Sequence, residues 1–275
     1  MKKLLTIILV SLLILTACGK TTIKKAKEEY YRYNHKKAKE MFKKLAKQGN
    51  LEAKYYLGML YKESNYIKEN KPKKAEKLFK EVLNNYDKNT NNPFILEGVG
   101  YLLRKGIATE ENYKKSEKHY EKAYKILNNS KEKLKNNSNY EYLLAYIYDT
   151  GRGPKEGTNL IKALKWYKKT SKNGNMYANN NIGHIYLYGG MISSKILKDY
   201  NKSIKYFKKN AKKGEYHSQK SLYVCYIKKS KASNKAKNLK KAKKWIKKVR
   251  ENKYTPKELQ REAKRTWDYY KLWNY

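Results

Sequence analysis

Residues 161–175 read IKALKWYKKTSKNGN, and their pattern recurs through the whole chain. A small residue, Ala163, precedes two aromatic residues, Trp166 and Tyr167, by three and four positions. This spacing places all three on one face of an α-helix, and the lysines between them fall on the other face. Gly174 follows at a place where helices commonly end on a glycine in the left-handed conformation. The stretch therefore predicts an amphipathic helix that ends just before Gly174.

The same pattern returns at intervals of roughly 40 residues, each time as a small anchor residue followed by apolar or aromatic residues three and four positions later. The six anchors are Ala38, Ala75, Ser116, Ala163, Ser203 and Ala242. We name the helix that carries each anchor helix B. Gly49 and Gly214 follow two of these helices as Gly174 follows the fourth.

A second phrase precedes each of the last five anchors and predicts a partner, helix A. Its fifth residue is apolar and its sixth is usually small, which lets the aromatic residue of helix B approach closely. The small residues are Gly58, Gly100, Ala145 and Gly183, and Tyr223 breaks the rule. One such helix pair cannot bury its own apolar face, so a repeat of this length is typical of a helical solenoid.

Residues 150–190 resemble the Sel-one-like repeat, a relative of the tetratricopeptide repeat. The positions that carry the resemblance are Gly151, Gly153, Lys162, Ala163, Trp166, Tyr167, Gly174, Asn175, Ala178, Gly183 and Tyr186. It is strong over 145–215 and covers about 30–250. The resemblance implies an all-α, right-handed α-solenoid of stacked antiparallel helix pairs.

The beginning of the chain predicts export. Residues 1–17 join a positive head to an apolar run that is too short to span a membrane, as in a signal peptide. Leu15-Thr16-Ala17-Cys18 resembles the bacterial lipobox, which implies cleavage before Cys18 and lipid attached to it, with 18–25 as a tether. The alternative is an ordinary signal peptide with a chance cysteine. We expect a lipid-anchored envelope protein, on the outer membrane facing the periplasm in a Gram-negative cell or on the surface of a Gram-positive cell.

The rest of the chain divides into two parts. Residues 26–254 are predicted to form a solenoid of about five to six repeats, and residues 255–275 a C-terminal capping helix. Thr255 and Glu258 have the spacing of a capping box, with Pro256 in the first turn.

The formal net charge of +42 attracts nucleic acid, anionic lipid or acidic proteins, and we expect an acidic protein or peptide partner. Almost all of this charge is lysine, since the chain contains only six arginines. Lysine, asparagine, tyrosine and isoleucine are all abundant and all have AT-rich codons, which points to genome composition as a cause of the lysine excess. Nucleic-acid readers favour arginine for bidentate contacts, so no nucleic-acid partner is expected.

The sequence contains no HExxH, GxSxG, CxxC or Walker pattern, so no catalytic residue, metal site or cofactor is predicted. His119 and Cys225 take core positions. We expect a non-enzymatic lipoprotein that binds a protein or peptide, and one version of this hypothesis is an immunity protein that neutralises an antibacterial effector. The alternative is an envelope or cell-wall-associated hydrolase of the secreted Sel-one-like type.

Helix A lines the concave side of the related tetratricopeptide solenoids, so the binding groove is predicted there. Its residues are Tyr55, Tyr101, Tyr142, Tyr146, Tyr177, Asn180 and His184. Tyrosine offers a large contact area and a polar tip, which suits recognition. We expect a tyrosine-lined groove, ringed by lysines, that binds an acidic polypeptide. The alternative is that these tyrosines extend the core between A helices.

Overall fold

The computed structural model describes residues 21–63, 71–132, 136–192 and 195–275. These residues form thirteen α-helices and no strand, which confirms the all-α prediction. The helices are α1 (Ile23–Tyr31), α2 (His35–Lys47), α3 (Leu51–Glu63), α4 (Pro72–Asn85), α5 (Pro93–Arg104), α6 (Tyr113–Asn129), α7 (Ser138–Thr150), α8 (Leu160–Lys172), α9 (Met176–Ile192), α10 (Tyr200–Ala211), α11 (Tyr216–Ser230), α12 (Lys235–Glu251) and α13 (Lys257–Tyr269). A 3₁₀ helix, Leu272–Asn274, follows. Within this described part, no helix is both long and apolar enough to cross a membrane.

The helices alternate as A and B in six pairs, from α1 and α2 to α11 and α12. Most helices pack on the next helix in the chain, and α13 closes the stack on α12. The buried apolar residues form two clusters, one running from α1 to α9 and one from α9 to the C-terminal end. The six predicted anchors all lie buried in these helix contacts.

Local sequence sets where the helices begin and end. Asn92, Asn112 and Asn159 each accept a hydrogen bond from a backbone N–H in the first turn of the helix that follows, which satisfies a donor that has no partner within the helix. Gly174 and Gly214, each at φ +84°, follow the ends of α8 and α10. An L side chain rarely adopts this conformation, so glycine is favoured at both positions.

The small residues of helix A make room for the aromatic residues of helix B, as predicted. A Cβ atom added at Gly58 would lie 2.5 Å from the ring of Phe79, and one at Gly183 would lie 2.7 Å from the ring of Phe207. Both rings are completely or almost completely buried. The glycines therefore allow each helix pair to pack closely around its aromatic residue.

The first repeat has a helix A that the repeated phrases did not indicate. This helix, α1, begins at Ile23, inside the segment predicted to be a tether, because the Thr22 hydroxyl accepts a hydrogen bond from the backbone N–H of Lys25 at 3.3 Å. It carries the same small-to-aromatic spacing, in Ala26 and Tyr30. The predicted signal peptide and Cys18 lie outside the described residues.

The final helix differs in detail from the prediction. It spans Lys257–Tyr269, and Pro256 is its N-cap residue, with no side-chain capping hydrogen bond. The predicted capping box was therefore wrong, because Thr255 lies one residue before the cap. Its buried hydroxyl has no hydrogen-bond partner among the described residues.

Candidate binding surface on the concave side

The first helix lies against the A helices of later repeats. The hydroxyl groups of Tyr31 in α1 and Tyr56 in α3 are 2.9 Å apart and buried. At the start of α7, the side-chain amide of Asn139 donates to the backbone carbonyl of Lys24 at 3.2 Å. Helix α1 therefore contacts the second and fourth repeats, beyond its own neighbours in the chain.

A buried ion pair fixes the same helix. The Lys27 ammonium pairs with the carboxylate of Glu52 in α3, and these residues are only 3% and 6% exposed. The ammonium also lies 3.1 Å from the centroid of the Phe94 ring, while the Asn92 amide donates to Glu52 at 3.1 Å. Burial lowers the pKa of Lys27, and the nearby carboxylate of Glu52 opposes this shift. The second and third repeats thus both hold α1.

Aromatic contacts join the first repeat to the fourth and fifth. The ring of Tyr33 stacks on the ring of Tyr177 with centroids 4.6 Å apart, and the Tyr33 hydroxyl accepts a hydrogen bond from Asn180 at 3.0 Å. The rings of Tyr31 and Tyr142 lie 4.7 Å apart. These contacts close part of the concave side with residues of the chain itself.

The seven predicted groove residues consequently differ in exposure. Tyr55, Tyr142 and Asn180 are buried, Tyr101, Tyr146 and Tyr177 are half-buried, and His184 is exposed. Three of them, Tyr142, Tyr177 and Asn180, contact the first repeat. For the two tyrosines this agrees with the alternative hypothesis, in which tyrosines extend the core between A helices. The solvent-accessible part of the predicted groove lies around Tyr101, Tyr146 and His184.

Two charged residues lie beside this accessible part. The Arg152 guanidinium is 5.3 and 5.9 Å from the ring centroids of Tyr120 and Tyr146. Glu97 is half-buried, and burial raises the pKa of its carboxyl to about 7, a shift that Arg152 opposes. The position of Arg152 beside these tyrosines was not predicted from the sequence, because Arg152 lies in the loop after α7. The scarcity of arginine was the one signal that could have indicated it.

A basic cleft of about 1020 Å³ lies where the first repeat meets the fifth and sixth. Its basic residues outnumber Glu215 and Glu251, the two acidic residues of its wall. They are Arg32, Lys36, Lys37, Lys213, Lys248 and Lys253. The sequence reasoning missed this cleft because its residues belong to loops and helix ends of distant repeats, which come together only when the concave side closes.

One of the two acidic residues is already engaged within the protein. The Glu215 carboxylate accepts hydrogen bonds from the backbone N–H groups of His217 at 2.8 Å and Ser218 at 2.6 Å, and so caps α11. It also accepts a hydrogen bond from the side-chain amide of Asn180 at 3.1 Å. Lys37 pairs with Glu29 at 2.9 Å, so five of the six basic residues exceed Glu215 and Glu251 in the charge of the cleft. The cleft is therefore net positive, which suits an anionic polypeptide.

The residues with potential chemical reactivity are packed in the structure. Cys225 is completely buried, its thiol lies 3.2 Å from the Ser203 hydroxyl, and burial raises its pKa to about 11. A thiol in this state stays protonated at neutral pH and is a poor nucleophile. His119, which was predicted to take a core position, is only half-buried, and its Nε2 lies 3.0 Å from the Tyr86 hydroxyl. Among the described residues, no group of three or more histidine, cysteine and acidic residues is placed to hold a metal ion.

Comparison with known proteins identifies the repeat. A search of curated protein sequences found no match. Two solved structures are similar. The protective antigen c5321 of uropathogenic Escherichia coli is 21% identical at a TM-score of 0.43 over 77% of this chain. A Sel1 repeat protein from Oxalobacter formigenes is 22% identical at a TM-score of 0.42, over 83% of this chain and 81% of its own. The chain spans 40% of the length of the first of these structures.

A family model described as Sel1 repeat matches five segments, which together cover more than half of the chain. They are residues 29–50, 51–81, 97–125, 138–175 and 177–215. The matches include the segment first recognised around Ala163, and they extend the family to the degenerate copies that precede it. They end at residue 215, before the helix pair that holds Ala242. The chain therefore belongs to the Sel1 repeat family.

Proposed function

We propose that the protein is a non-enzymatic, lipid-anchored interaction protein of the bacterial cell envelope, and that it binds an acidic segment of a protein partner. Sel1 repeats typically mediate interactions between proteins. The observation that carries the proposal is the basic cleft, because it combines a large volume with six basic residues at a closed end of the concave surface.

The size of the cleft suits a short polypeptide segment. Its volume of about 1020 Å³ lies at the upper end of the range for pockets that enclose whole small molecules. Tyr33 and Tyr254 add aromatic surface to its wall. The lysines mainly accelerate encounter with an acidic partner and make binding sensitive to salt, while the aromatic residues supply contact area.

The proposed anchor brings this surface close to a membrane. A lipid on Cys18 leaves only residues 19–22 before α1 begins at Ile23. Four extended residues span roughly 14 Å. Helix α1 is itself fixed by the Lys27–Glu52 ion pair, so the body of the protein is held near the bilayer. Neutralising an antibacterial effector at that surface is one function of this kind.

The test begins with capture of partners from detergent-solubilised membranes by the native lipoprotein, followed by affinity measurement with the purified partner. The triple variant Lys213→Gln/Lys248→Gln/Lys253→Gln removes three exposed charges from the cleft. We expect it to bind roughly tenfold or more weakly and to depend less on salt, because each charge contributes to electrostatic attraction.

The matched control is Lys114→Gln/Lys118→Gln/Lys165→Gln, which removes the same charge from exposed positions on α6 and α8. Equal affinity of the two triple variants for the partner would contradict the basic cleft as the site. The double variant Tyr101→Ala/Tyr146→Ala tests the adjoining concave surface. If it folds normally and binds with unchanged affinity, that surface is not part of the site.

A further inference from the structure

We propose that acid opens the contact between the first and fifth repeats, and that the His35 side chain is the group that takes up the proton. His35 begins α2 and is only 5% exposed. The centroid of its ring lies 5.3 Å from that of Tyr30 and 5.1 Å from that of Tyr33, and its Nε2 atom lies 3.3 Å from the Tyr177 hydroxyl. A titratable ring is therefore enclosed between two repeats that are distant in the chain.

The enclosed ring belongs to the contact that closes the concave side. Tyr33 stacks on Tyr177, and its hydroxyl accepts a hydrogen bond from Asn180 at 3.0 Å. The same Asn180 amide donates to the Glu215 carboxylate at 3.1 Å. These side chains and His35 form one connected group, so a charge on His35 would lie inside the closed contact.

The surroundings of His35 disfavour that charge. Burial lowers the pKa of His35 to about 4, although the Glu215 carboxylate and a hydrogen bond to the Tyr30 backbone oppose this shift. The tyrosines around the ring are neutral at acid pH. His184 and His217 are exposed and also lie within electrostatic reach of Glu215. The basic residues of the adjoining cleft repel a further positive charge, and they are Arg32, Lys36, Lys37, Lys213, Lys248 and Lys253.

Protonation of His35 therefore favours an open state in which water solvates the ring. In the closed state the ring binds a proton only near pH 4, whereas an exposed histidine binds one near pH 6.5. Between these values the open state binds more protons, so the closed contact is fully stable above about pH 6.5 and weakens as the pH falls toward 4. From pH 7 to pH 5, the ratio of open to closed molecules should rise roughly 20-fold through His35 alone.

Opening would also divide the basic cleft. Three of its six basic residues, Arg32, Lys36 and Lys37, belong to the first repeat, and the other three belong to later parts of the chain. All six face one cavity only while the first repeat lies against the fifth. The response to acid is a property of this contact and does not depend on the partner proposed above, so it can be tested without that partner.

The experiment measures hydrogen exchange of the full chain, purified in detergent, at pH 7 and pH 5, with rates corrected for the intrinsic effect of pH. The amides of α1 report the opening. We expect their protection to fall roughly 20-fold more in the unmodified protein than in His35→Phe or His35→Gln. Phenylalanine keeps a ring for stacking and glutamine keeps a polar group for Tyr177, but neither takes up a proton. Glu97 and Asp149 titrate in every variant and cancel in the comparison.

Two controls separate this response from general effects of acid. His119→Gln removes a half-buried histidine outside the closed contact and should keep the full response. The amides of α12 should stay better protected than those of α1 at both pH values, because the opening is local. Circular dichroism verifies that each variant is folded.

Three results would overturn the proposal. The first is an equal response to pH in the unmodified protein and in the His35 variants. The second is equal protection of α1 and α12, which would show that only global unfolding occurs. The third needs no variant: a pKa of about 6.5 for His35 in the folded protein, measured by nuclear magnetic resonance, would show that closure does not disfavour its protonation.

Discussion

The rings of Tyr33 and Tyr177 are stacked at an interplanar angle of 6°, and they join the loop of the first repeat to helix A of the fifth. Tyr33 adopts φ +61°, a conformation uncommon for residues other than glycine. The hydrogen bond that its hydroxyl accepts from Asn180, together with the stacking on Tyr177, helps to hold this conformation. Repeats in a solenoid usually contact only their neighbours. This contact therefore joins the first repeat directly to the fifth.

Removing the Tyr177 ring should loosen the closure of the concave side. We expect Tyr177→Ala to lower the free energy of unfolding by roughly 2–4 kcal/mol, since a large aromatic side chain and its stacking are both lost. Hydrogen exchange should show faster exchange throughout α1. The control, Tyr113→Ala, truncates a tyrosine that is 55% exposed and should change stability little. Unchanged protection of α1 in Tyr177→Ala would count against the closure.

The buried ion pair should respond differently to single and double substitution. Lys27→Met leaves the Glu52 carboxylate buried without its cation, and we expect a loss of roughly 3–5 kcal/mol in the free energy of unfolding. The double variant Lys27→Met/Glu52→Leu removes both charges and should recover much of this loss. Urea denaturation of the unmodified protein, the Lys27→Met and Glu52→Leu single variants and the double variant measures the effect. Additive losses in the double variant would contradict a coupled pair.

The aromatic residues of helix B should be the most sensitive points of the core. Phe207 is completely buried against Gly183, so Phe207→Ala should cost roughly 3–5 kcal/mol and clearly lower the melting temperature. Ile161→Ala provides the control, because this apolar residue is 55% exposed on the neighbouring helix B. A melting temperature for Phe207→Ala within error of the unmodified protein would mean that the packing register is different.

The repeat pattern predicted most of the fold because it is local. The spacing from Ala163 to Tyr167, and the glycine after the helix, depend only on helical geometry, and each copy carries the same information. The first helix A was missed because residues 23–31 are shorter and rich in charge. The cap at Pro256 was missed because proline fits both the cap and the first turn.

The binding surface could be predicted only in part, because it depends on contacts between distant repeats. The sequence pattern placed Tyr142 and Tyr177 on the inner faces of their helices, where the structure also has them. It did not indicate that Tyr31 and Tyr33 would cover them, since the curvature of a solenoid results from many small packing angles. The basic cleft also forms only where the first repeat closes the concave side, so no local sequence pattern predicts it.

Lipid attachment remains a prediction that cell fractionation can test. Residues 15–18 motivate it, because Leu-Thr-Ala-Cys follows a short apolar run. We expect the Cys18→Ser variant to lose firm attachment to membranes in a carbonate wash, since the acyl chains supply the stable part of the binding. The Cys225→Ser variant is the matched control and should remain attached. Membrane retention of Cys18→Ser equal to that of the unmodified protein would exclude the lipid anchor.

The carboxyl group of Glu97 should make stability depend on pH. Burial raises its pKa from 4.5 to about 7, so between these values the folded protein binds more protons than the unfolded chain. The contribution of Glu97 to the free energy of unfolding is therefore fully present below about pH 4.5 and is lost as the pH rises through about 7.

Because one pKa unit corresponds to about 1.4 kcal/mol, Glu97→Gln should stabilise the protein by roughly 1–3 kcal/mol at pH 8 and by much less at pH 4. Urea denaturation at both pH values measures this difference. His35, whose pKa burial lowers to about 4, and Asp149, whose pKa burial raises to about 6, titrate in both proteins and cancel in the comparison. A stability difference that is the same at both pH values would show that Glu97 titrates normally in the folded protein.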